Sequence, residues 1–315
     1  MSEPLCPICN SPSRYDYSGR DSMFNRYERY DYQHCTNCDF IFQHPPPSAE
    51  EIAAFYPKSY AVYGEHSRQK EVGPFVKSIL KRYYGYSHLK TSLLNDLACT
   101  IIKKSNSDYR VPFITGGSLL DVGCGNGRFL DGMKKLGWQV KGVEFNKHAV
   151  DVCKLSGLDV HHGDLLSANF EPNSFDIINV SHVIEHVPHP RQLFSELAKV
   201  LKPGGTLIIK TPNSKAFGRK LFGTNWFPDD IPRHIYLYSE KNLRQIGDLC
   251  GLHLKTIRTR ASLKVVLNSI DYVLENKGTP SKKITWRRIW AKIFSLVAKY
   301  KNQGDEIFAV FTKAQ

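Results

Sequence analysis

The feature that most constrains the fold is a glycine-rich turn between an apolar run and a helical stretch. The segment LLDVGCGNGRF spans residues 119–129, and its glycines are Gly123, Gly125 and Gly127. Glycine allows a strand to turn sharply and lets the backbone approach a ligand that a Cβ atom would obstruct. Short apolar runs alternate with amphipathic stretches from this turn to residue 212. The alternation predicts parallel βαβ units, and therefore an α/β fold with a Rossmann-like, doubly wound sheet.

An acidic residue ends the next apolar run. Glu144 closes QVKGVE about twenty residues after the turn, where a carboxylate suits paired hydrogen bonds to ribose hydroxyls. The helix after the turn offers free backbone N–H groups to an anionic part of a ligand. These residues alone fit either a nicotinamide dinucleotide or S-adenosylmethionine, so the ligand remains open at this point.

Five spaced motifs together resemble one protein family. In chain order they are LLDVGCGNGRFL, VKGVEFNKHAV, VHHGDL, FDIINVSHVIEHVPHP and LKPGGTLIIKTPN. This series is similar to the class I S-adenosylmethionine-dependent methyltransferases, and the resemblance covers roughly residues 117–260 and the last strand. It implies a seven-stranded sheet whose last strand is antiparallel. It also implies an enzyme that moves a methyl group from S-adenosylmethionine to an acceptor.

The resemblance further implies which residues bind the cofactor. Asp121 and the glycine turn would line its methionine part, and Glu144 would bind the ribose. Phe145 would lie beside the adenine, Asp164 would hold the exocyclic amine, and Leu165 would pack on the ring. The whole predicted set is Asp121, Gly123, Cys124, Gly125, Gly127, Glu144, Phe145, Asp164, Leu165 and Ser181.

Three histidines are candidate catalytic bases. Methylation of oxygen or carbon requires removal of a proton, and histidine has the pKa best suited to that step. His182 leaves the fourth strand at the edge where open α/β sheets react, and His234 follows the fifth strand. His186 is the third candidate and ends the segment HVIEH, residues 182–186. A purely structural hydrogen-bonding role at the cofactor rim is the alternative.

The sequence HVIEH, residues 182–186, also matches a zinc-peptidase pattern. That chemistry needs a continuous helix, whereas this segment follows a strand and precedes Pro188, so a peptidase is not favoured. The pair Glu185-His186 recurs in family members that resemble this chain, including some metal-assisted quinone O-methyltransferases. A divalent ion therefore remains an open alternative here.

Two CxxC pairs lie near the amino terminus. They are Cys6 with Cys9, and Cys35 with Cys38. Four thiolates at this spacing predict a closed, structural zinc site that stabilises a small ribbon and leaves no open position for catalysis. A rubredoxin-type iron site and an oxidisable cysteine pair are the alternatives.

Composition and spacing predict three parts. Residues 1–47 form a zinc-ribbon module, and residues 48–115 form a helical cap or linker. Residues 116–315 form the S-adenosylmethionine-binding domain, with a basic helical insertion at about 262–303. The start MSEPLCPICN lacks the features of a signal peptide, and no apolar stretch approaches the roughly 18 residues of a membrane span. We therefore expect a cytoplasmic location with reduced thiols.

The distribution of the net charge of +13 bears on the partners. Residues 1–60 are acidic, with five basic and eight acidic side chains, so the ribbon is not expected to grip phosphates and a nucleic-acid partner is disfavoured. Residues 282–301 combine an apolar helical stripe with basic side chains. Such a helix suits either peripheral contact with the inner face of a membrane or packing on its own domain, and packing is the commoner arrangement.

The acceptor is the least constrained part of the function. The cysteine-containing leader resembles ribbons that precede bacterial methyltransferases of surface polysaccharides or deoxysugars, so the first interpretation is O-methylation of a saccharide or saccharide-linked acceptor. The alternatives are a small-molecule or quinone O-methyltransferase and an RNA methyltransferase. In this family the segment 212–238 builds the acceptor pocket, and its aromatic side chains either stack on the acceptor or anchor the loop. They are Phe217, Phe222, Trp226 and Phe227.

Overall fold

The computed structural model of the chain describes four stretches, residues 3–56, 72–101, 111–276 and 286–315. Residues 282–285 of the predicted basic helix therefore lie outside the described residues, as do parts of the predicted cap. The chain divides into two compact units. The first contains residues 1–59, 180–198 and 206–315, and the second contains residues 60–179 and 199–205. None of the helices in the described stretches has both the length and the apolar character needed to cross a bilayer.

A four-stranded antiparallel sheet lies in the first unit. Its strands, in spatial order, are β1 (Ser13–Arg20), β2 (Arg29–Cys35), β3 (Ile41–Gln43) and β9 (Tyr236–Leu237). Ile41 pairs with Leu237 and Phe42 pairs with Tyr236, so a segment from late in the chain completes the sheet of the amino-terminal ribbon. The ribbon predicted from the cysteines is thus built together with β9.

Seven further strands form a second sheet. They are β4 (Ser118–Val122), β5 (Gln139–Glu144), β6 (Val160–His162), β7 (Phe175–Ser181), β8 (Leu201–Pro212), β10 (Leu252–Arg260) and β11 (Glu306–Lys313). Their order is β10-β11-β8-β7-β4-β5-β6. β4, β5 and β6 pair in parallel, whereas β11 is antiparallel to both β8 and β10. The predicted α/β fold class, with seven strands and an antiparallel last strand, is confirmed.

Ten helices lie within the described residues. They are α1 (Ala49–Ala54), α2 (Pro74–Tyr83), α3 (Leu93–Ile101), α4 (Arg128–Lys135), α5 (Lys147–Leu155), α6 (Pro190–Val200), α7 (Phe217–Phe222), α8 (Glu240–Leu249), α9 (Leu263–Asn276) and α10 (Arg287–Tyr300). Side-chain caps fix several starts. The Ser48 hydroxyl accepts the Glu51 N–H at 3.2 Å before α1, and Asn146 Oδ1 accepts the Ala149 N–H at 3.0 Å before α5.

The basic insertion folds as the helix pair α9 and α10. Ala291, Phe294 and Ala298 of α10 are buried against Val266 and Ile270 of α9. The predicted apolar stripe of this segment is therefore divided, because only part of it faces the protein and the rest is exposed.

Aromatic side chains of the segment 212–238 join this cluster. The Phe217 ring stacks on the Phe294 ring at 5.1 Å between centroids, and the Phe222 ring stacks on the Trp226 ring at 5.7 Å. Trp226 is buried. These contacts favour the interpretation in which the aromatic residues anchor the loop.

A buried ion pair links the ribbon to the segment before β9. The guanidinium of Arg233 is fully buried and donates to both carboxylate oxygens of Asp21, at 2.9 and 3.0 Å. It also donates to Asp230 at 2.7 Å. The hydroxyl of Tyr32, on β2, donates to the backbone carbonyl of His234 at 2.8 Å. Residues 230–238 are therefore held by the ribbon as well as by their own neighbours.

Candidate functional site

The glycine turn in the second unit has the backbone conformation that its sequence predicts. Gly123, Gly125 and Gly127 have φ angles of +70°, +54° and +75°, a region that side chains with a Cβ rarely adopt. A Cβ atom on Gly127 would lie 2.5 Å from Leu158 and 2.8 Å from Cys153. By contrast, no atom lies within 4 Å of the Cβ position at Gly125. The turn is thus closed at Gly127, where it packs against α5 and the residues that follow it, and open at Gly125.

Acidic side chains lie at the carboxyl ends of the adjacent strands β4 and β5. The Glu144 carboxylate is nearly buried and accepts the Gly125 N–H and the Asn146 N–H, each at 2.8 Å. Asp121 accepts the Asn179 side-chain amide at 2.6 Å. Glu144 is therefore hydrogen-bonded to the glycine turn, and Asp121 lies at the end of the neighbouring strand, so the two carboxylates could hold the diol and amine of a nucleoside ligand.

The remaining predicted cofactor residues occupy varied environments. Phe145 directly follows Glu144 and is 78% exposed, so its ring is available to a ligand. Asp164 is engaged locally, because its carboxylate accepts the Ser167 N–H at 2.7 Å. Leu165 and Cys124 are buried, and Ser181 is half-buried at the end of β7 in the first unit. Their roles in binding remain predictions.

The four cysteines of the ribbon converge in the first unit. Cys6 Sγ lies 3.6 Å from Cys38 Sγ, and Cys9 Sγ lies 3.5 Å from Cys35 Sγ and 3.6 Å from Cys38 Sγ. Four sulfurs bonded at about 2.3 Å around a tetrahedral ion stand about 3.8 Å apart, so the observed spacing fits zinc. Backbone N–H groups of Ile8 and Cys38 point at Sγ atoms of the cluster, at 3.4 Å. A four-cysteine cluster that could bind zinc is present.

His182 lies directly after β7 in a strained conformation. Its φ angle is +55°, and its two ring nitrogens lie 3.2 Å from Glu185 and 3.1 Å from Glu306. Burial alone would lower the pKa of His182, but these two carboxylates raise it to about 10. Both nitrogens therefore carry protons and donate, and in this arrangement His182 has no lone pair with which to accept a proton.

Glu185 is the partner that fixes His182. Its side chain is fully buried, and its second oxygen accepts the Thr211 hydroxyl at 3.0 Å. Burial would raise the pKa of this carboxyl, but the His182 hydrogen bond and charge hold it at about 2. Glu185 is therefore an anion inside the first unit. The sequence motif identified Glu185, but it gave no signal for Thr211 or Glu306 as partners.

His186 and His234 form a second pair. Their ring centroids are 4.7 Å apart in an edge-to-face arrangement. His186 Nδ1 lies 2.9 Å from the Arg233 carbonyl, and His234 Nδ1 lies 2.7 Å from the Pro228 carbonyl. His186 Nδ1 also lies 2.9 Å from the Tyr56 hydroxyl. Because a carbonyl can only accept, the contact with Pro228 places the proton of the neutral His234 ring on Nδ1 and leaves a lone pair on Nε2. Burial, and then the neighbouring His186, lower the pKa of His234 to about 4, so this ring is neutral at pH 7.

Glu185, His186 and His234 together could also hold a divalent ion. One ligand atom from each lies within 4.8 Å of the others. Two imidazoles oriented by backbone carbonyls and one carboxylate are a common ligand set for transition metals. The segment does not form the helix of a peptidase, because residues 182–189 make turns and α6 begins only at Pro190.

These features define a class of enzyme. A doubly wound sheet with an antiparallel last strand, an open glycine turn and acidic residues at neighbouring strand ends are the features of S-adenosylmethionine-dependent methyltransferases. Residues 97–256 match the model of the methyltransferase domain family, which is half of the 315 residues. The chain belongs to this family.

Two curated relatives illustrate the similarity. The ubiquinone biosynthesis O-methyltransferase of Burkholderia vietnamiensis is 32% identical over 135 residues, which cover 40% of this chain and 58% of that protein. The enzyme of the same name from Xanthomonas oryzae pv. oryzae is 29% identical over 186 residues, covering 51% of this chain and 77% of that protein. Among solved structures, a SAM-dependent methyltransferase from Archaeoglobus fulgidus aligns with 18% identity and a TM-score of 0.47, covering 76% of this chain and 93% of that one.

Proposed function

We propose that this chain transfers a methyl group from S-adenosylmethionine to a hydroxyl oxygen of a small molecule. The observation that carries the proposal is the pair His186 and His234. Their Nδ1 atoms face backbone carbonyls, and one ring nitrogen of each lies within 4.8 Å of an oxygen of the buried Glu185 carboxylate. An acceptor hydroxyl must lose its proton, and an imidazole lone pair is suited to take it. The relatives named as O-methyltransferases of ubiquinone biosynthesis support an acceptor with a ring hydroxyl, such as a quinol.

From its sequence alone the chain is expected to methylate a saccharide first, with a small molecule or quinone as the alternative acceptor. The order is reversed because the matching relatives are O-methyltransferases of a small molecule, and their names give no support to a glycan. The aromatic side chains that suggested sugar stacking, Phe217 and Phe222, pack on α9 and α10 instead. A saccharide and an RNA remain outcomes that the acceptor assay below distinguishes.

The proposed donor site is the glycine turn with Glu144 and Asp121. The open space at Gly125 leaves room for a ligand close to the backbone, and the positive φ angle of this residue also favours glycine. When bound, S-adenosylmethionine supplies a methyl group that its sulfonium makes electrophilic. The chain then has to hold the acceptor in line and exclude water.

Within the histidine pair, we assign to His186 the role of the base that accepts the proton of the acceptor hydroxyl. This ring is partly exposed, so an acceptor can reach it, whereas His234 is buried. Because burial keeps His234 neutral, it does not repel the positive charge that forms on its neighbour. His234 is accordingly a positioning residue, and Glu185 supplies a fixed negative charge nearby. The same three residues acting on a divalent ion are the competing mechanism.

Glu144→Ala should weaken the binding of S-adenosylhomocysteine by about 1–3 kcal/mol, which is roughly 5- to 150-fold. The variant removes the hydrogen bonds offered to the ribose and leaves the Gly125 and Asn146 N–H groups without their acceptor. Isothermal titration calorimetry measures the change. Glu171→Ala, which removes an exposed carboxylate from the same unit, is the matched control and should bind normally. Equal affinities for both variants would remove Glu144 from the donor site.

The acceptor is tested by transfer from methyl-labelled cofactor to a panel of quinols and catechols, nucleotide sugars, glycolipids and transfer RNA. We expect release of S-adenosylhomocysteine with the ring hydroxyls. Transfer to sugars alone would restore the saccharide as the acceptor, and salt-sensitive transfer to RNA would support an RNA methyltransferase.

Dialysis against EDTA, with metal content measured before and after, distinguishes proton removal by His186 from a mechanism that uses a divalent ion. Activity that survives loss of every metal except the ribbon ion supports direct proton removal by His186.

A further inference from the structure

The outward face of α10 carries a row of exposed apolar side chains. Five residues follow one another at intervals of three and four, which places them on a single helical face. Their exposed fractions range from 57% to 92%. They are Trp286, Ile289, Ile293, Leu296 and Tyr300. We name this set the α10 stripe; at a rise of about 1.5 Å per residue it is roughly 20 Å long.

The α10 stripe faces away from the helix pair, because the opposite face of α10 packs against α9. Ala291, Phe294 and Ala298 are buried in the cluster with α9. On that side Arg287 also forms an ion pair with Asp271 of α9. The helix is therefore held in one orientation, and the stripe is a surface feature of the folded first unit.

Cations border the α10 stripe. Arg288, Lys292 and Lys299 are exposed and lie at intervals of four and seven residues, so they form a parallel row along one edge of the stripe. The helix contains no acidic residue. Aromatic rings with polar atoms, Trp286 and Tyr300, stand at the two ends of the stripe. Apolar side chains, end aromatics and one row of cations on the same helix are the components of an interfacial helix.

We propose that the α10 stripe docks on the surface of an anionic phospholipid bilayer. The apolar side chains would enter the boundary between headgroups and acyl chains, the aromatic rings would sit at the headgroup level, and the cations would meet lipid phosphates. A second copy of the chain suits this face less well. Two stripes packed together would bring cations near cations, with no acidic side chain on α10 to balance them.

Flotation with vesicles tests the proposal on the full chain. Wild-type protein should float with vesicles of phosphatidylglycerol and phosphatidylcholine and remain behind with phosphatidylcholine alone. Ile289→Ser/Ile293→Ser/Leu296→Ser should lower the partition by about tenfold or more, because it removes the apolar part of the contact. Arg288→Gln/Lys292→Gln/Lys299→Gln should lower it by about tenfold or more in low salt, with less effect in high salt. The emission of Trp286 should shift to shorter wavelength on binding, and Trp286→Phe should lose that shift.

A matched variant shows whether vesicle binding depends on the cations of α10 or only on the net charge of the chain. Lys90→Gln/Lys154→Gln/Lys255→Gln removes three exposed cations elsewhere and should bind vesicles like wild type. Equal losses in both charge variants would overturn the proposal, as would a wild-type chain that ignores anionic vesicles. Sedimentation of each variant tests the alternative that a second copy of the chain packs on the α10 stripe. If the serine variant changes a dimer into a monomer and leaves vesicle binding unchanged, the stripe is a dimer interface and the proposal is wrong. Since flotation measures binding and not methyl transfer, its result is independent of the proposed function.

Discussion

His186→Gln is expected to lower acceptor-dependent turnover by about 10²- to 10⁴-fold, the range in which a positioned general base contributes. Glutamine keeps much of the volume and a hydrogen bond to the Arg233 carbonyl, but it has no lone-pair nitrogen to receive the proton. Affinity for S-adenosylhomocysteine should not change, so the loss appears in turnover. Steady-state kinetics with saturating cofactor, combined with calorimetry, measures both.

The acceptor itself provides a sharper control for this variant. A nitrocatechol is already ionised at the assay pH and needs no base, so the loss caused by His186→Gln should shrink strongly with this acceptor. His253→Gln replaces an exposed histidine of the same unit and should behave like wild type with both acceptors. A His186→Gln enzyme within tenfold of wild type on the un-ionised acceptor would contradict the assignment. An equal loss with both acceptors would instead favour a role in positioning.

Removal of the ion from the four-cysteine cluster should unfold the ribbon and destabilise the whole first unit. Purified protein should contain one zinc per chain, and Cys9→Ser or Cys38→Ser should lower its content severalfold. Binding of structural zinc in small domains is worth about 10–16 kcal/mol, which is comparable with the whole stability of an ordinary domain, about 5–15 kcal/mol. Elemental analysis and thermal unfolding with and without a chelator measure the effect.

Activity should fall together with the metal, although we propose a structural and not a catalytic role for the cluster. β3 of the ribbon pairs with β9, and Tyr32 of the ribbon holds the carbonyl of His234, so loss of the ribbon disturbs the histidine pair. Cys250→Ser, which changes a cysteine outside the cluster, should keep both metal and activity. A metal-free protein with an unchanged melting temperature would exclude a structural ion, and a coloured, iron-containing protein would replace zinc by the rubredoxin-type alternative.

The parts of the fold that the sequence predicts are those with local causes. The turn at Gly123, Gly125 and Gly127 is predictable from the sequence because positive φ angles favour residues without a Cβ. The order of strands follows because apolar runs alternate with helical periods, and the antiparallel last strand follows from the family resemblance. The four-cysteine cluster is equally predictable, since binding of one tetrahedral ion by two CxxC pairs requires their spacing in the sequence.

The parts that it does not predict depend on distant contacts. β9 has only two residues, Tyr236 and Leu237, and no period can be read from two positions, so its pairing with Ile41 and Phe42 has no local signal. Nδ1 of His186 and Nδ1 of His234 each lie against a backbone carbonyl, and carbonyls leave no mark in a sequence.

The α10 helix shows a similar limit. Its apolar residues cover a wide arc, and the periodicity fixes which residues share a side of the helix. It does not fix which part of that arc the neighbouring α9 covers. Only the packing of Phe294 and Ala298 on α9 reveals that Ile289 and Ile293 remain exposed.

The pairing of Arg233 with Asp21 makes the amino-terminal ribbon inseparable from the enzyme. A shortened chain that starts after residue 47 would leave a buried guanidinium with one of its two carboxylates, and breaking a buried pair costs about 3–5 kcal/mol. It would also expose the unpaired edge of β9. The ribbon and residues 230–238 therefore depend on each other for folding, and a chain in which another ribbon replaced this one would also need a different residue at position 233.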